Sequence, residues 1–131
     1  MTRKIITRAE IPKAAEPTIA QAKSAEELAR CYPVMRELRT HLSTNDEFVA
    51  GYWFSESLFA GRFLYVDDLV TSAKDRSAGF GGQLFDWLVR FARAQKCQHL
   101  ELDSGVQRFD AHRFYLMKRM SISSHHFTLK L

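Results

Sequence analysis

Arg76-Ser77-Ala78-Gly79-Phe80-Gly81-Gly82 is the stretch on which the reading of this chain turns. It stands between a nearly continuous apolar run, Arg62 to Thr71, and a segment with helical spacing, Phe80 to Lys96. In the run, Phe63, Leu64, Tyr65, Val66, Leu69 and Val70 predict a strand buried on both faces, interrupted only by Asp67 and Asp68. In the helical segment, Leu84, Leu88, Phe91 and Ala92 recur at i, i+4, i+7 and i+8, with Phe85 widening the stripe. His99 to Asp103 then alternates, and Gly105 follows. Strand, glycine loop, helix and strand in that order make a βαβ unit with parallel strands. The glycines let the backbone turn tightly and bring successive N–H groups to a ligand, at the positive end of the helix that starts there. Such a loop suits a pyrophosphate. Gln83 and Leu84 stand where a P-loop needs its Lys and Ser/Thr, and Leu84 where a dinucleotide fingerprint needs its third glycine. From the glycines alone, a tight turn without a ligand is an equal alternative.

Working toward the N-terminus, Pro17 to Lys23 reads as a short strand and Ser24-Ala25-Glu26-Glu27 as a capping box opening a helix. Leu28, Val34, Met35 and Leu38 are that helix's candidate core positions, and Pro33 is expected to kink or divide it. Ser43 to Asp46 signals another helix start, yet the apolar pattern after Phe48 is not helical. Val49 to Phe54 is rich in strand formers, and Ser55 to Gly61 carries turn-like residues. Beyond the central unit, a helix is expected over Ala111 to Lys118 with Asp110 as its N-cap. Phe127, Leu129 and Leu131 alternate with Thr128 and Lys130 as in a closing strand. There is no internal repeat.

The 131 residues suit one domain, expected over 17–131, with 1–16 as a basic, flexible leader. Apolar residues make up 46% and charged residues 26%, and ten phenylalanines supply core bulk. No apolar run approaches the ~18 residues of a membrane helix, and the N-terminus has no signal-peptide core. Cys31 and Cys97 lie far apart, so two reduced thiols in a cytoplasmic protein are expected rather than a disulfide framework. No metal-ligand spacing is present. The net charge of +4 suits an anionic partner. Nucleic acid is the weakest of these, because the cations are interspersed with acids and the aromatics fall in core positions.

Arg76-x-x-Gly79-x-Gly81 after a Leu-Val-Thr strand end, with Ala111-His112-Arg113-Phe114-Tyr115 downstream, resembles the GNAT acetyltransferase superfamily from about Val49 to Leu131. The resemblance implies an α/β (α+β) fold. Its sheet is mixed and mostly antiparallel, with a central parallel strand pair splayed around CoA and helices on both faces. It implies acetyl-CoA as co-substrate and no metal. Backbone N–H groups of Arg76, Ser77, Ala78, Gly79, Phe80, Gly81 and Gly82 would hold the pyrophosphate, the Arg76 side chain being equally well a solvated charge. Leu69, Val70 and Thr71 would pair with the pantetheine arm like an added strand. Tyr115 would protonate the departing thiolate, against the plainer reading of an aromatic packed beside Ala111 and Phe114. Asp67 and Asp68 face opposite ways, so one could take the amine proton while the other caps a strand or binds the substrate. Asp103 is a candidate substrate contact or a loop cap. His112, His125 and His126 read as surface or sheet-face residues.

Three departures accompany the match. Arg108 stands where the family often has an asparagine before Ala111, and could meet a CoA phosphate. Arg119 replaces the glycine after the tyrosine helix, and Met120 the usual aromatic. Between Asp46 and Gly51 the rest of a second helix and the second strand, roughly 25 residues, have no counterpart, which implies either a shortened domain or an omitted segment. The expected activity is transfer of acetyl from acetyl-CoA to a primary amine. The alternative is an impaired acyl-CoA-binding or protein-interaction module. Exposed strand edges make a homodimer an expectation as well.

Overall fold

The computed structural model of the chain describes residues 4–7, 18–38, 48–71 and 79–131. Its elements are β1 (Lys4–Thr7), β2 (Ala20–Ala22), α1 (Ala25–Leu38), β3 (Phe48–Ser57), β4 (Gly61–Thr71), α2 (Phe80–Ala94), β5 (His99–Leu102) and α3 (Phe109–Met117). Contacts gather into two compact units, Met1–Glu101 and Leu102–Leu131, and the domain expected over 17–131 spans both. Among the described residues, no helix is long and apolar enough to cross a membrane.

The five strands form one mixed sheet in the order β2-β1-β3-β4-β5. β3 and β4 make a long antiparallel hairpin, from Phe48↔Thr71 to Ser57↔Gly61. Part of the segment expected to be a leader has a different fate. Lys4–Thr7 is β1, antiparallel to β2 through Ile5↔Ala22 and to β3 through Ile5↔Gly51. Two adjacent β-branched isoleucines and Thr7 favour extended backbone, and two flanking strands satisfy its ladder groups. The sheet therefore has no gap where the second strand seemed to be missing: the N-terminus supplies the strand between β2 and β3. The helix start at Ser43 to Asp46 lies outside the described residues.

The capping box forms as expected. Glu27 N–H donates to Ser24 Oγ at 3.1 Å, and Glu27 Oε2 accepts from the N–H of Ser24 at 2.9 Å and of Lys23 at 2.7 Å. Those backbone donors hold the Glu27 carboxyl below its ordinary pKa. α1 then continues through Pro33 as one helix, so the expected division does not occur. In the core, Leu84, Phe85, Leu88 and Ala92 of α2 are buried with Leu64 and Val66 of β4 and Tyr52 of β3. The Tyr52 ring meets Phe91 edge-on at 5.6 Å. Its hydroxyl accepts from Gln21 Nε2 at 2.8 Å, so a polar tip inside the core is satisfied. Burial pushes the Tyr52 hydroxyl up to about 12, with the Gln21 bond opposing.

Candidate functional site

The first unit brings the end of β4 against the start of α2. Between the register pairs Tyr52↔Val66 and Gly51↔Asp68, β4 carries one residue more than β3, namely Asp67. A bulge of this kind bends the strand and re-aims the residues that follow, here Leu69, Val70 and Thr71. Burial alternates along Val66, Asp67, Asp68, Leu69 and Val70, in line with two carboxylates facing opposite ways. Asp68 is 5% exposed, the buried acidic residue among the described ones. Its carboxylate lies over Gly51, where an added Cβ would come within 3.4 Å of Oδ2. A glycine inside a strand is the sequence signal for such a close approach. Asp67 is half-buried, and its Oδ2 is withdrawn from solvent.

β5 begins beside Arg62, whose carbonyl accepts the Gln98 N–H at 2.7 Å, and it ends four residues later at Leu102. β4 runs on to Thr71. The strand therefore continues past the end of its parallel neighbour through Leu69, Val70 and Thr71, the residues expected to pair with pantetheine.

α2 starts at the other side of the glycine loop. Gly79 is its N-cap at φ 82°, a left-handed conformation that a side chain would strain. The first turn of the helix carries no acidic residue. Gly81 approaches the strand so closely that an added Cβ would stand 3.1 Å from Thr71 Oγ1. Gly79, Phe80, Gly81 and Gly82 thus present a helix N-terminus next to the end of β4, an arrangement with the polarity an anion needs. Arg76, Ser77 and Ala78 lie outside the described residues.

The second unit carries the remaining candidates. α3 begins at Phe109, with Arg108 at its N-cap and no side-chain capping bond. Asp110 is therefore not the cap. It sits in the first turn and pairs with Arg113 Nη1 at 2.8 Å, one turn on, which suits the positive end of the helix. Ala111, His112, Phe114 and Tyr115 are half-buried. The Tyr115 ring meets Phe114 edge-on at 5.5 Å. Burial raises the Tyr115 hydroxyl above its ordinary pKa, and the charge of Arg108 partly opposes this. Arg119, in the place of the expected glycine, adopts φ 65° nonetheless. The helix ends in the left-handed turn that a glycine would favour, without the glycine.

At the end of β5, Asp103 Oδ2 lies 2.9 Å from His126 Nδ1. Ser104 Oγ is buried with no hydrogen-bond partner among the described residues. Neither feature was legible beforehand, because a Ser after a strand and a His in a tail carry no spacing signal of their own. The expected closing strand does not form: residues 120–131 are irregular, and Phe127, Leu129 and Leu131 are exposed. Alternation alone does not make a strand when the apolar face has nothing to cover it.

Comparison with known proteins bears on the family. Residues 8–120 match the acetyltransferase (GNAT) family. The chain is 35% identical over 123 residues to the uncharacterized N-acetyltransferase YhdJ of Bacillus subtilis (strain 168), covering 75% of this chain and 87% of that protein. It shares its fold with a putative acetyltransferase from Agrobacterium tumefaciens, at TM-score 0.70 and 14% identity over 84% of this chain and 97% of the other. It also resembles a transcriptional regulator from Bacillus halodurans, at TM-score 0.62 and 20% identity over 88% of this chain and 65% of the other. The chain thus spans just under two thirds of that last protein. With the family match over most of its length and a relative at this identity, the chain belongs to the GNAT acetyltransferase family.

Proposed function

We propose that this protein transfers the acetyl group of acetyl-CoA to a primary amine of a small molecule or peptide, by direct attack within a ternary complex in the cytoplasm. The observation that carries the reading is the approach of Gly81 to Thr71, which sets a glycine-rich helix N-terminus beside the end of β4. Backbone N–H groups of residues 76–82 bind the pyrophosphate, and Leu69, Val70 and Thr71 pair with the pantetheine arm. One N–H of that strand end polarises the thioester carbonyl as charge develops on its oxygen. Arg108 supplies a cation for a CoA phosphate, and Ala111 leaves room for the cofactor at the start of α3.

The amine nitrogen attacks the carbonyl carbon, the C–S bond breaks, and the thiolate leaves. Tyr115 donates its phenolic proton to that thiolate. Asp67 or Asp68, directly or through water, takes the proton lost by the amine. Together with Asp103, these carboxylates give the acceptor side an acidic character that suits a cationic amine. The protein works as a monomer or a homodimer, with no metal, nucleic acid or membrane as partner.

The test is CoA release with lysine, a lysine-containing peptide, glucosamine 6-phosphate and an aminoglycoside, for wild type and Tyr115→Phe. Loss of the phenol lowers kcat roughly 100-fold while KM for acetyl-CoA stays within about threefold. Because burial raises the Tyr115 hydroxyl above the ordinary tyrosine range, the phenol stays protonated at neutral pH, and the alkaline loss of activity falls above that range. Acetyl-CoA binding without turnover of any amine sinks the enzyme reading and favours a non-catalytic acyl-CoA-binding module.

A further inference from the structure

Beside its buried stripe, α2 carries a second set of residues on one side. Gln83, Asp86, Trp87 and Arg90 fall at i, i+3, i+4 and i+7, the spacing that makes helix side chains neighbours. With Ile19, just ahead of β2, they line a hollow of about 340 Å³ inside the first unit. That volume lies at the lower end of the range for small-molecule sites, roughly 300–1,000 Å³. The Trp87 indole stacks on Phe91 at 4.9 Å with 18° between planes, and Phe91 in turn meets Tyr52 and Phe54 of β3. An aromatic plane held this way is oriented before a ligand arrives, so little rotamer freedom is lost on binding. The exposed Arg90 guanidinium forms no ion pair with any described residue. Its planar fork of N–H donors suits a carboxylate taken through two parallel bonds. Asp86, one turn earlier, lines the same hollow with the opposite charge. A plain carboxylate would meet repulsion from Asp86, and a plain amine from Arg90. A zwitterion answers both.

We propose that this hollow binds a free aromatic amino acid, its ring on the Trp87 indole, its carboxylate on Arg90 and its ammonium toward Asp86. The Gln83 amide offers a further donor and acceptor at the rim. None of the five lining residues has a part in the acetyl-transfer reading, so the two stand or fall separately. The site is nonetheless joined to the cofactor cradle through the chain, because Gln83 directly follows Gly82 on the same helix.

The tryptophan indole N–H signals of the full chain, followed by NMR through a titration with L-phenylalanine, test this. There are two tryptophans, and Trp87→Phe assigns their signals. Trp53 is the internal control: it neighbours Tyr52 on β3, so it faces away from α2, and it packs with Phe63 and Tyr65. The Trp87 signal should shift and saturate with a dissociation constant on the order of 1 mM, reasonable for a ligand of about a dozen non-hydrogen atoms, while Trp53 stays put. Arg90→Gln should weaken binding about tenfold without lowering the melting temperature, since the exposed guanidinium holds no partner in place. Phenethylamine and 3-phenylpropanoate, each lacking one charge, should bind at least about fivefold more weakly than L-phenylalanine. No saturable shift of Trp87 up to about 20 mM overturns the proposal, as does an equal response of both indoles. Undiminished binding by Arg90→Gln also overturns it. So does 3-phenylpropanoate or phenethylamine binding as tightly as L-phenylalanine.

Discussion

α2 and α3 are both helices that begin where ligand-binding residues are expected, yet they are held in place by different means. α2 buries Leu84, Phe85, Leu88 and Ala92, and Leu84 and Leu88 are fully inaccessible. α3 buries none of its nine residues to that degree, and Phe109 and Met117 are 67% and 76% exposed. Their C-terminal ends are alike, each followed by a left-handed residue other than glycine, Lys96 at φ 59° after α2 and Arg119 at φ 65° after α3. The glycine cradle thus stands on a helix whose position is fixed by packing, and Tyr115 on one whose own surface contributes little to a core. If the proposed roles hold, the division is precision at the pyrophosphate and tolerance at the leaving group. Three stability measurements test it.

The largest effect should come from α2. Leu88→Ala removes a fully buried side chain from a close-packed position and should cost about 2–5 kcal/mol, read from urea or thermal unfolding. A loss below about 1 kcal/mol would mean that the helix collapses onto the vacated space, and that the cradle is not rigidly set.

A smaller effect, of opposite sign, belongs to the end of α3. Arg119 holds φ 65°, where an L side chain crowds its own backbone. Arg119→Gly relieves that strain, offset in part by the greater freedom of glycine in the unfolded chain. A net gain of about 1 kcal/mol, or about 3 °C in melting temperature, is expected. A loss of stability would show that the arginine side chain holds the turn by contacts worth more than the strain.

What the sequence disclosed follows the same division. α2 was readable because its apolar residues recur on one face and its first residues are glycines, so period and turn chemistry agree. The β3–β4 hairpin was readable in outline from its apolar runs. The single-residue offset at Asp67 was not, since a bulge leaves no mark in composition. β1 was missed because Ile5 and Ile6 lie among Arg3, Lys4 and Arg8, and a four-residue strand is too short to show alternation. Its role depends on a vacancy in the sheet, which is a tertiary fact. In the C-terminal unit, Tyr115 was singled out through its motif spacing, and its half-burial and raised hydroxyl are what the structure adds. The pairing of Asp103 with His126 joins residues 23 positions apart and had no local signal. The tail was misread for the complementary reason: Phe127, Leu129 and Leu131 alternate perfectly well, but alternation reports a strand only where one face is covered.

The smallest effect should therefore be in that tail. Phe127 is 91% exposed, so it buries almost no apolar area on folding. Phe127→Ser should change stability by less than about 0.5 kcal/mol, the range of a surface substitution away from any packed feature. The neighbouring His126 contact to Asp103 gives an internal control, because a backbone shift caused by the substitution would register there as a change in the His126 imidazole NMR signals. A loss above about 1 kcal/mol would mean that Phe127 is packed in solution, either as the closing strand the alternation suggested or against a second copy. Concentration dependence of the melting temperature separates those two, since only association responds to protein concentration. An unaltered stability would leave the contrast as drawn: an N-terminal unit whose packing fixes the start of α2, and a C-terminal segment whose exposed tail residues add nothing to the stability of the fold.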